Sequence, residues 1–151
     1  MKHLTGWVGH AALVVALLAA PLVTAAQELV SVRAAVANLR AGPGTDTEVR
    51  WQLRRGFPLQ VLQRQGSWLQ VRDFEGDEGW VAAALTGPAR HHVVRARVLN
   101  LRSGPGTQHP VVGTARYGDV LPTLRRAGDW VQLRGPNGQP VWAAAEYLWG
   151  W

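Results

Sequence analysis

Four carboxylates crowd one short segment and are the first candidates for chemistry: Asp73, Glu75, Asp77 and Glu78. Oxygen-rich turns bind calcium, and paired carboxylates act as acid and base in glycoside hydrolysis. The spacing of these four residues departs from that of a calcium-binding loop. We therefore predict a solvated hairpin tip at this segment, without a bound metal.

Two adjacent histidines, His91 and His92, are the other candidate metal ligands. Neighbouring side chains on an extended segment point to opposite sides, so the two imidazoles would not converge on one ion. We expect both histidines to belong to a solvated linker. The sequence predicts no metal site and no cofactor.

The residues for covalent catalysis are missing. The chain has no cysteine, which excludes thiolate nucleophiles and cysteine-ligated metals. Its serines are Ser31, Ser67 and Ser103, and none lies in a Gly-x-Ser-x-Gly elbow. No Gly-x-x-x-x-Gly-Lys segment is present to bind a phosphate. We predict that the protein is not an enzyme.

The N-terminal segment has the order of a secretory signal. A basic start is followed by an apolar run over residues 7–23 and by the small residues Thr24-Ala25-Ala26. We expect a signal peptide over residues 1–26, cleaved after Ala26 or Ala25. A retained membrane anchor is the alternative, because a bilayer is spanned by about 20 apolar residues. Either the periplasm or the extracellular space is the predicted location.

The rest of the sequence is one unit written twice. Asn38-Leu39-Arg40 recurs as Asn100-Leu101-Arg102, and the offset of 62 residues holds without a gap. Between residues 32–83 and 94–145, 25 of 52 aligned positions are identical, which indicates a duplication. The acidic segment at 73–78 is not repeated in the second copy, so no site common to both copies uses it.

The elements that must position any site are short strands. In each unit an apolar–polar alternation favours strands over helices, with Leu69 and Val71 inward and Trp68 outward. Pro43-Gly44 and its copy Pro105-Gly106 each predict a tight type II turn with positive φ at the glycine. We therefore expect an all-β protein of two small tandem β-barrels, residues 27–88 and 89–151.

Three spaced motifs identify a resemblance. The chain resembles the bacterial SH3-like domains of the cell envelope in three motifs. These are Val98 to Gly106, then Gly128-Asp129-Trp130-Val131, and then an element such as Gly79-Trp80-Val81. The likeness covers about residues 29–151 and occurs twice. It implies SH3-like five-stranded barrels and a binding role, directed at peptidoglycan or at another envelope protein, without catalysis.

The resemblance also implies a ligand groove in each unit. The groove residues carried over by position are Trp68, Trp80 and Leu85 in the first unit, and Trp130, Trp142 and Tyr147 in the second. Trp68 and Trp130 are either platforms for a sugar or peptide, or packing residues at the barrel end or at the interface between the units. Trp80 and Trp142 are expected to be partly structural. Trp51, Trp149 and Trp151 are interpreted as interdomain or capping contacts.

The charge is uneven between the two units. The chain carries a net charge of +6; residues 27–88 hold seven arginines and seven acids, whereas residues 89–151 hold eight arginines and three acids. Export makes nucleic acid an unsuitable partner, and no membrane contact is expected after cleavage. We predict a peptidoglycan- or stem-peptide-binding module. The alternative is an adaptor that docks an envelope protein such as a cell-wall enzyme. No oligomeric state is predicted.

Overall fold

Two similar antiparallel sheets make up the described part of the chain. The computed structural model describes residues 26–151, so the predicted leader, apart from Ala26, lies outside the described residues. The strands of the first unit are β1 Leu29–Val32, β2 Val36–Arg40, β3 Val49–Arg54, β4 Pro58–Gln65, β5 Trp68–Arg72, β6 Glu78–Ala82 and β7 Thr86–Gly87. The strands of the second unit are β8 His91–Val94, β9 Val98–Arg102, β10 Val111–Arg116, β11 Val120–Ala127, β12 Trp130–Arg134, β13 Pro140–Ala144 and β14 Leu148–Gly150.

Strand order is the same in both units. The first sheet runs β3-β2-β6-β5-β4-β1-β7 and the second β10-β9-β13-β12-β11-β8-β14. Each unit also has one 3-10 turn, Ala83–Leu85 and Ala145–Tyr147, between its last two strands. The all-β class predicted from the alternation is confirmed.

Each sheet bends around its own apolar core. Leu69 and Val71 of β5 are 1% and 0% exposed, and their counterparts Val131 and Leu133 on β12 are both fully buried. Leu101, from the repeated Asn-Leu-Arg motif, is also fully buried in the second core. Burial of alternate residues therefore follows the sequence pattern and turns Trp68 and Trp130 away from the cores.

The turns repeat with the strands. Of the eight glycines at positive φ, six have φ between 57° and 93°, a left-handed backbone that glycine reaches without a steric cost. They form three pairs at the offset of 62: Gly56 and Gly118, Gly66 and Gly128, Gly76 and Gly138. The type II turn predicted at Pro43-Gly44 is wrong, because Gly44 is not among these eight glycines. It is also wrong at Pro105-Gly106, because Gly106 has a φ of 157°, far from the roughly 80° that such a turn requires. The Thr47 hydroxyl holds this loop by donating to the carbonyl oxygens of Gly42 and Gly44, at 2.9 and 2.7 Å.

The two units contact each other through an aromatic chain. Phe74 lies between Phe57 and Tyr117, with ring centroids 6.0 and 5.4 Å apart. The Tyr117 hydroxyl donates a hydrogen bond of 2.6 Å to Glu75 Oε1. A cleft of about 470 Å³ lies beside Phe57, where both units supply lining residues. The tip itself, residues 75–77, is exposed as expected, and Phe74 and Glu75 also contact the second unit.

This contact predicts an abnormal phenol titration. The hydrogen bond to Glu75 raises the pKa of Tyr117 above its ordinary value of 10.0. Glu75→Gln is expected to bring that pKa back toward 10.0, because a neutral amide does not oppose formation of the phenolate. Ultraviolet titration in a Tyr147→Phe background, which leaves Tyr117 as the single tyrosine, measures the change. An unchanged phenol pKa in Glu75→Gln would contradict the contact.

Candidate functional site

An open groove of about 810 Å³ lies on the second unit. Its floor and walls come from β9, from the start of β12 and from the 3-10 turn at 145–147. Trp130 and Tyr147, both predicted for the site, line the groove together. Trp130 is half-buried and Tyr147 is 45% exposed, so both aromatic rings present surface to solvent.

Backbone pairing explains how the two aromatic residues come together. Trp130 on β12 pairs with Ala144, the last residue of β13, which directly precedes the 3-10 turn at 145–147. The Ala145 N–H donates to the backbone oxygen of Asp129 at 2.8 Å and holds the 3-10 turn against the start of β12. The Tyr147 carbonyl oxygen in turn accepts the N–H of Arg95 at 2.8 Å.

An arginine holds one wall of the groove. Arg102 lines it and donates from Nη1 to the carbonyl oxygens of Thr107 and His109, at 3.1 and 2.8 Å. In the first unit, Arg40 makes the equivalent bonds to Thr45 and Thr47, at 3.0 and 2.8 Å. The arginine of the Asn-Leu-Arg motif therefore clamps the glycine–proline loop in both copies.

The sequence interpretation missed two acidic residues of this groove. Asp129 and Glu146 line it together with Trp130, Tyr147 and Arg126. Asp129 corresponds to Ser67 of the first copy and Glu146 to Ala84. Comparing the two copies position by position, and noting where only the second copy has a charged residue, would have identified these two acids.

The first unit keeps the same frame with other side chains. Trp68 is half-buried, and the N–H of Ala83 donates to the Ser67 backbone oxygen at 2.9 Å, as Ala145 does to Asp129. Leu85 is half-buried at the position of Tyr147. This surface is therefore less aromatic and lacks the two acids.

The tryptophans of the last long strand differ between the units. Trp80 pairs with Gln70 on the outer face of β6 and is half-buried. Trp142 is only 4% exposed, and the Arg125 guanidinium lies over its ring with Cζ 4.7 Å from the centroid. Trp142 does not line the groove, which corrects the expectation placed on it. Arg125 corresponds to Gln63, and both donate to the equivalent glutamine: Arg125 Nε to Gln132 at 2.9 Å and Gln63 to Gln70 at 2.7 Å.

The acidic segment is organised by its own backbone. Asp73 Oδ1 accepts the N–H groups of Glu75 and Asp77, both at 2.9 Å. Burial raises the pKa of Asp73 above its usual 3.8, although these two backbone hydrogen bonds oppose the shift. Carboxylate oxygens of the three residues lie within 4.8 Å of one another. Glu78 forms an ion pair with Arg72 instead.

The two histidines lie in strand β8, so the expectation of a solvated linker is wrong. His92 is 3% exposed and its Nδ1 lies 2.6 Å from Thr123 Oγ1. Burial lowers the pKa of His92 to about 4. His91 Nδ1 lies 3.1 Å from Ser31 Oγ, across the two units. Ser31 is 1% exposed and is closed to a substrate, so this pair is structural.

The remaining tryptophans take separate positions. Trp51 lies on the edge strand β3, is 47% exposed, and does not line the cleft between the units. Trp149 lies in β14 opposite Val93 and, like Trp151, is half-buried. The interdomain interpretation is therefore wrong for Trp51. Within residues 26–151 the structure contains no helix of the length and apolarity needed to cross a bilayer.

Family comparisons give the same two units. Residues 33–88 and 97–148 each match a family model described as bacterial SH3 domain. A curated relative, "Putative N-acetylmuramoyl-L-alanine amidase YrvJ" of Bacillus subtilis (strain 168), is 26% identical over 137 residues. That match covers 83% of this chain and 26% of the relative, so the chain spans about a quarter of the relative's length.

Solved structures are also similar in part. An NlpC/P60 family protein from Bacillus cereus ATCC 10987 is 15% identical, with a TM-score of 0.39 over 82% of this chain and 56% of that one. NlpC2 from Trichomonas vaginalis is 10% identical, with a TM-score of 0.38 over 82% of this chain and 48% of that one. The chain spans about half of each.

Proposed function

Because the chain belongs to the bacterial SH3 domain family, of which it carries two copies in tandem, we propose that it is a non-catalytic binding module of the cell envelope. Its ligand is peptidoglycan or a peptidoglycan stem peptide. The groove of the second unit is the main contact, and the surface around Trp68, Trp80 and Leu85 is the weaker contact of the first unit. Export through the N-terminal segment belongs to the same proposal.

The observation that carries this proposal is that Trp130 and Tyr147 line the same open groove. Aromatic faces stack on the apolar faces of sugars and on peptide side chains, while polar groups at the rim bond to the edges of the ligand. Asn100 and Thr107 supply such polar groups beside the two rings. A groove of this composition suits a short stretch of a polar polymer.

The curated relative supports the choice of polymer. Its name refers to N-acetylmuramoyl-L-alanine, the junction between glycan and peptide in peptidoglycan. The two family models that match this chain are both bacterial SH3 domains. We therefore carry over the envelope polymer as the ligand, and not the amidase activity.

Binding by each unit alone should be weak. A shallow groove with few anchors corresponds to a Kd of about 0.1–1 mM, or roughly −4 to −5.5 kcal/mol. Two linked units on a repetitive polymer bind more tightly, because the second contact forms at a high effective concentration. Pelleting with an insoluble polymer detects this avidity.

Trp130→Ala is expected to reduce binding to purified sacculi about tenfold, because it removes the largest apolar surface of the groove. Co-sedimentation over a range of sacculus concentrations measures the change. Trp51→Ala is the matched control, since Trp51 is an exposed tryptophan outside the groove. Trp68→Ala should have a smaller effect. Equal pelleting of the parent and a folded Trp130→Ala variant would reject groove binding.

A second candidate function rests on the edge strand β3. Trp51 and Val49 are exposed there, at 47% and 40%, on a strand with an unpaired edge. Exposed strand edges with apolar side chains accept an added strand from a partner. On this proposal the chain is an adaptor for an envelope protein such as a cell-wall enzyme. Crosslinking in cells from position 51 tests it, and a stoichiometric protein partner without sacculus binding would favour it.

A further inference from the structure

The charges of the second groove point to a specific ligand chemistry. We propose that this groove recognises a zwitterionic peptide and that Asp129 and Glu146 bind its primary ammonium group. The inference rests on the proposed function and names the chemical class of ligand that the groove of the second unit binds. It also separates the two units, because the first unit has neither carboxylate.

The placement of acids in the second unit supports the inference. Residues 89–151 contain eight arginines and three acids, and two of the three acids, Asp129 and Glu146, line the groove. The third, Asp119, accepts the backbone N–H of Arg116 at 2.8 Å and lies in the cleft between the units. Acids are therefore concentrated at the aromatic pair within an otherwise basic unit.

Neither acid of the groove is neutralised by an ion pair. Within residues 26–151 the ion pairs join Arg64 to Glu28 and Arg72 to Glu78, all in the first unit. A carboxylate attracts an alkylammonium group by Coulomb interaction and by hydrogen bonding. An aromatic face beside it adds a cation–π interaction. The groove offers two carboxylates and two rings for this purpose.

The backbone sets the two acids on the same groove. The hydrogen bond from the Ala145 N–H to the Asp129 oxygen places Glu146 and Tyr147 next to Asp129 and Trp130. In the first unit the corresponding bond, from Ala83 to Ser67, holds the same frame without acids. The duplication thus supplies an internal comparison in which the frame is constant and the charge differs.

The two arginines of the groove explain why the ligand must also carry a negative charge. Arg102 and Arg126 line the groove with the two acids. Arg102 donates from Nη1 to two loop carbonyls and Arg126 from Nε to the Gly128 oxygen, at 3.0 Å. Their remaining N–H groups are suited to a carboxylate. Two cations and two anions match a peptide with both an amine and a carboxylate.

The test compares two peptides on the purified full chain. N-acetyl-Ala-γ-Glu-Lys with a free side-chain amine is titrated against the same peptide with that amine acetylated, by calorimetry or NMR. We expect acetylation to weaken binding about fivefold, through loss of the ammonium contacts. Non-specific attraction to a chain of net charge +6 predicts the opposite, because acetylation makes the peptide more negative.

The variants copy the first unit into the second. Asp129→Ser with Glu146→Ala reproduces Ser67 and Ala84 and should bind both peptides with equal affinity. Asp119→Asn is the matched control, which removes the third acid and should keep the preference for the free amine. These exposed positions leave the core intact, and circular dichroism verifies folding.

The outcomes separate this inference from the proposed function. In two outcomes, the parent binds sacculi in a way that depends on Trp130 and yet binds both peptides equally or binds neither. Either result overturns the ammonium site and leaves the proposed function standing. A double variant that still prefers the free amine overturns it as well. Loss of all sacculus binding by the parent overturns the proposed function and the inference together.

Discussion

Lowering the pH from 7 to 4 is expected to destabilise the second unit by about 3 kcal/mol, through protonation of His92. Burial lowers the pKa of this imidazole from 6.5 in the unfolded chain to about 4. A hydrogen bond to the backbone of Trp151 opposes this shift, and the charges of Arg126 and His91 add to it. Above pH 6.5 the ring is neutral in both states and its contribution is complete. Between pH 6.5 and 4 only the unfolded state gains the proton, so stability falls; below pH 4 the loss levels off.

Urea unfolding followed by tryptophan fluorescence at pH 7, 5.5 and 4 measures this loss. His92→Gln should remove most of it, because an amide at the same buried position does not titrate. His91→Gln keeps His92 and should retain the pH dependence. Asp73 acts in the opposite sense in the first unit, since its raised pKa favours the folded state as the pH falls. Equal pH dependence in the parent and His92→Gln would show that His92 is not the titrating group.

Replacing Leu101 by alanine is expected to lower the free energy of unfolding of the second unit by about 3–5 kcal/mol. Leu101 is fully buried in the second core. The smaller alanine side chain leaves a cavity, because the surrounding sheet relaxes only partly to fill it. A barrel of roughly 60 residues is only marginally stable, so a loss of this size removes most of its stability. The second unit should therefore be largely unfolded at neutral pH and 37 °C.

Two matched variants test the prediction for Leu101. Leu124→Ala, at a leucine that is 42% exposed, should cost far less because little apolar area returns to water. Leu39→Ala makes the same change at the equivalent buried position of the first core. NMR spectra of the two buried variants show which unit loses dispersion. Retention of a native second unit in Leu101→Ala would contradict the assigned core.

The two copies show that one frame supports two surfaces. Both units share three backbone features. These are the hydrogen bonds from Arg40 or Arg102 to the glycine–proline loop, the left-handed glycines, and the hydrogen bond that holds the 3-10 turn against the preceding strand. These features hold backbone segments at fixed distances and leave the outward side chains free to vary. Asp129 and Glu146 changed the charge of one groove without disturbing the frame.

The features that the sequence could predict are local or periodic. Alternation along Trp68–Arg72 determines which side chains face the core, because successive residues of a strand point to opposite faces. The repeat determined the number of units, and its glycines marked the turns. The resemblance added Trp130 and Tyr147, which the structure brings into one groove.

Tertiary structure decided what depends on residues distant in the chain. Arg125 lies over the buried ring of Trp142, which it does not neighbour in sequence. The strand of His92, β8, lies between β11 and β14, and Glu75 contacts Tyr117 of the other unit. A periodic pattern reports which face a side chain takes on its own strand, but it carries no information on which neighbour covers that face. Burial, pKa and the charge of the groove follow from those neighbours, and they therefore required the folded chain.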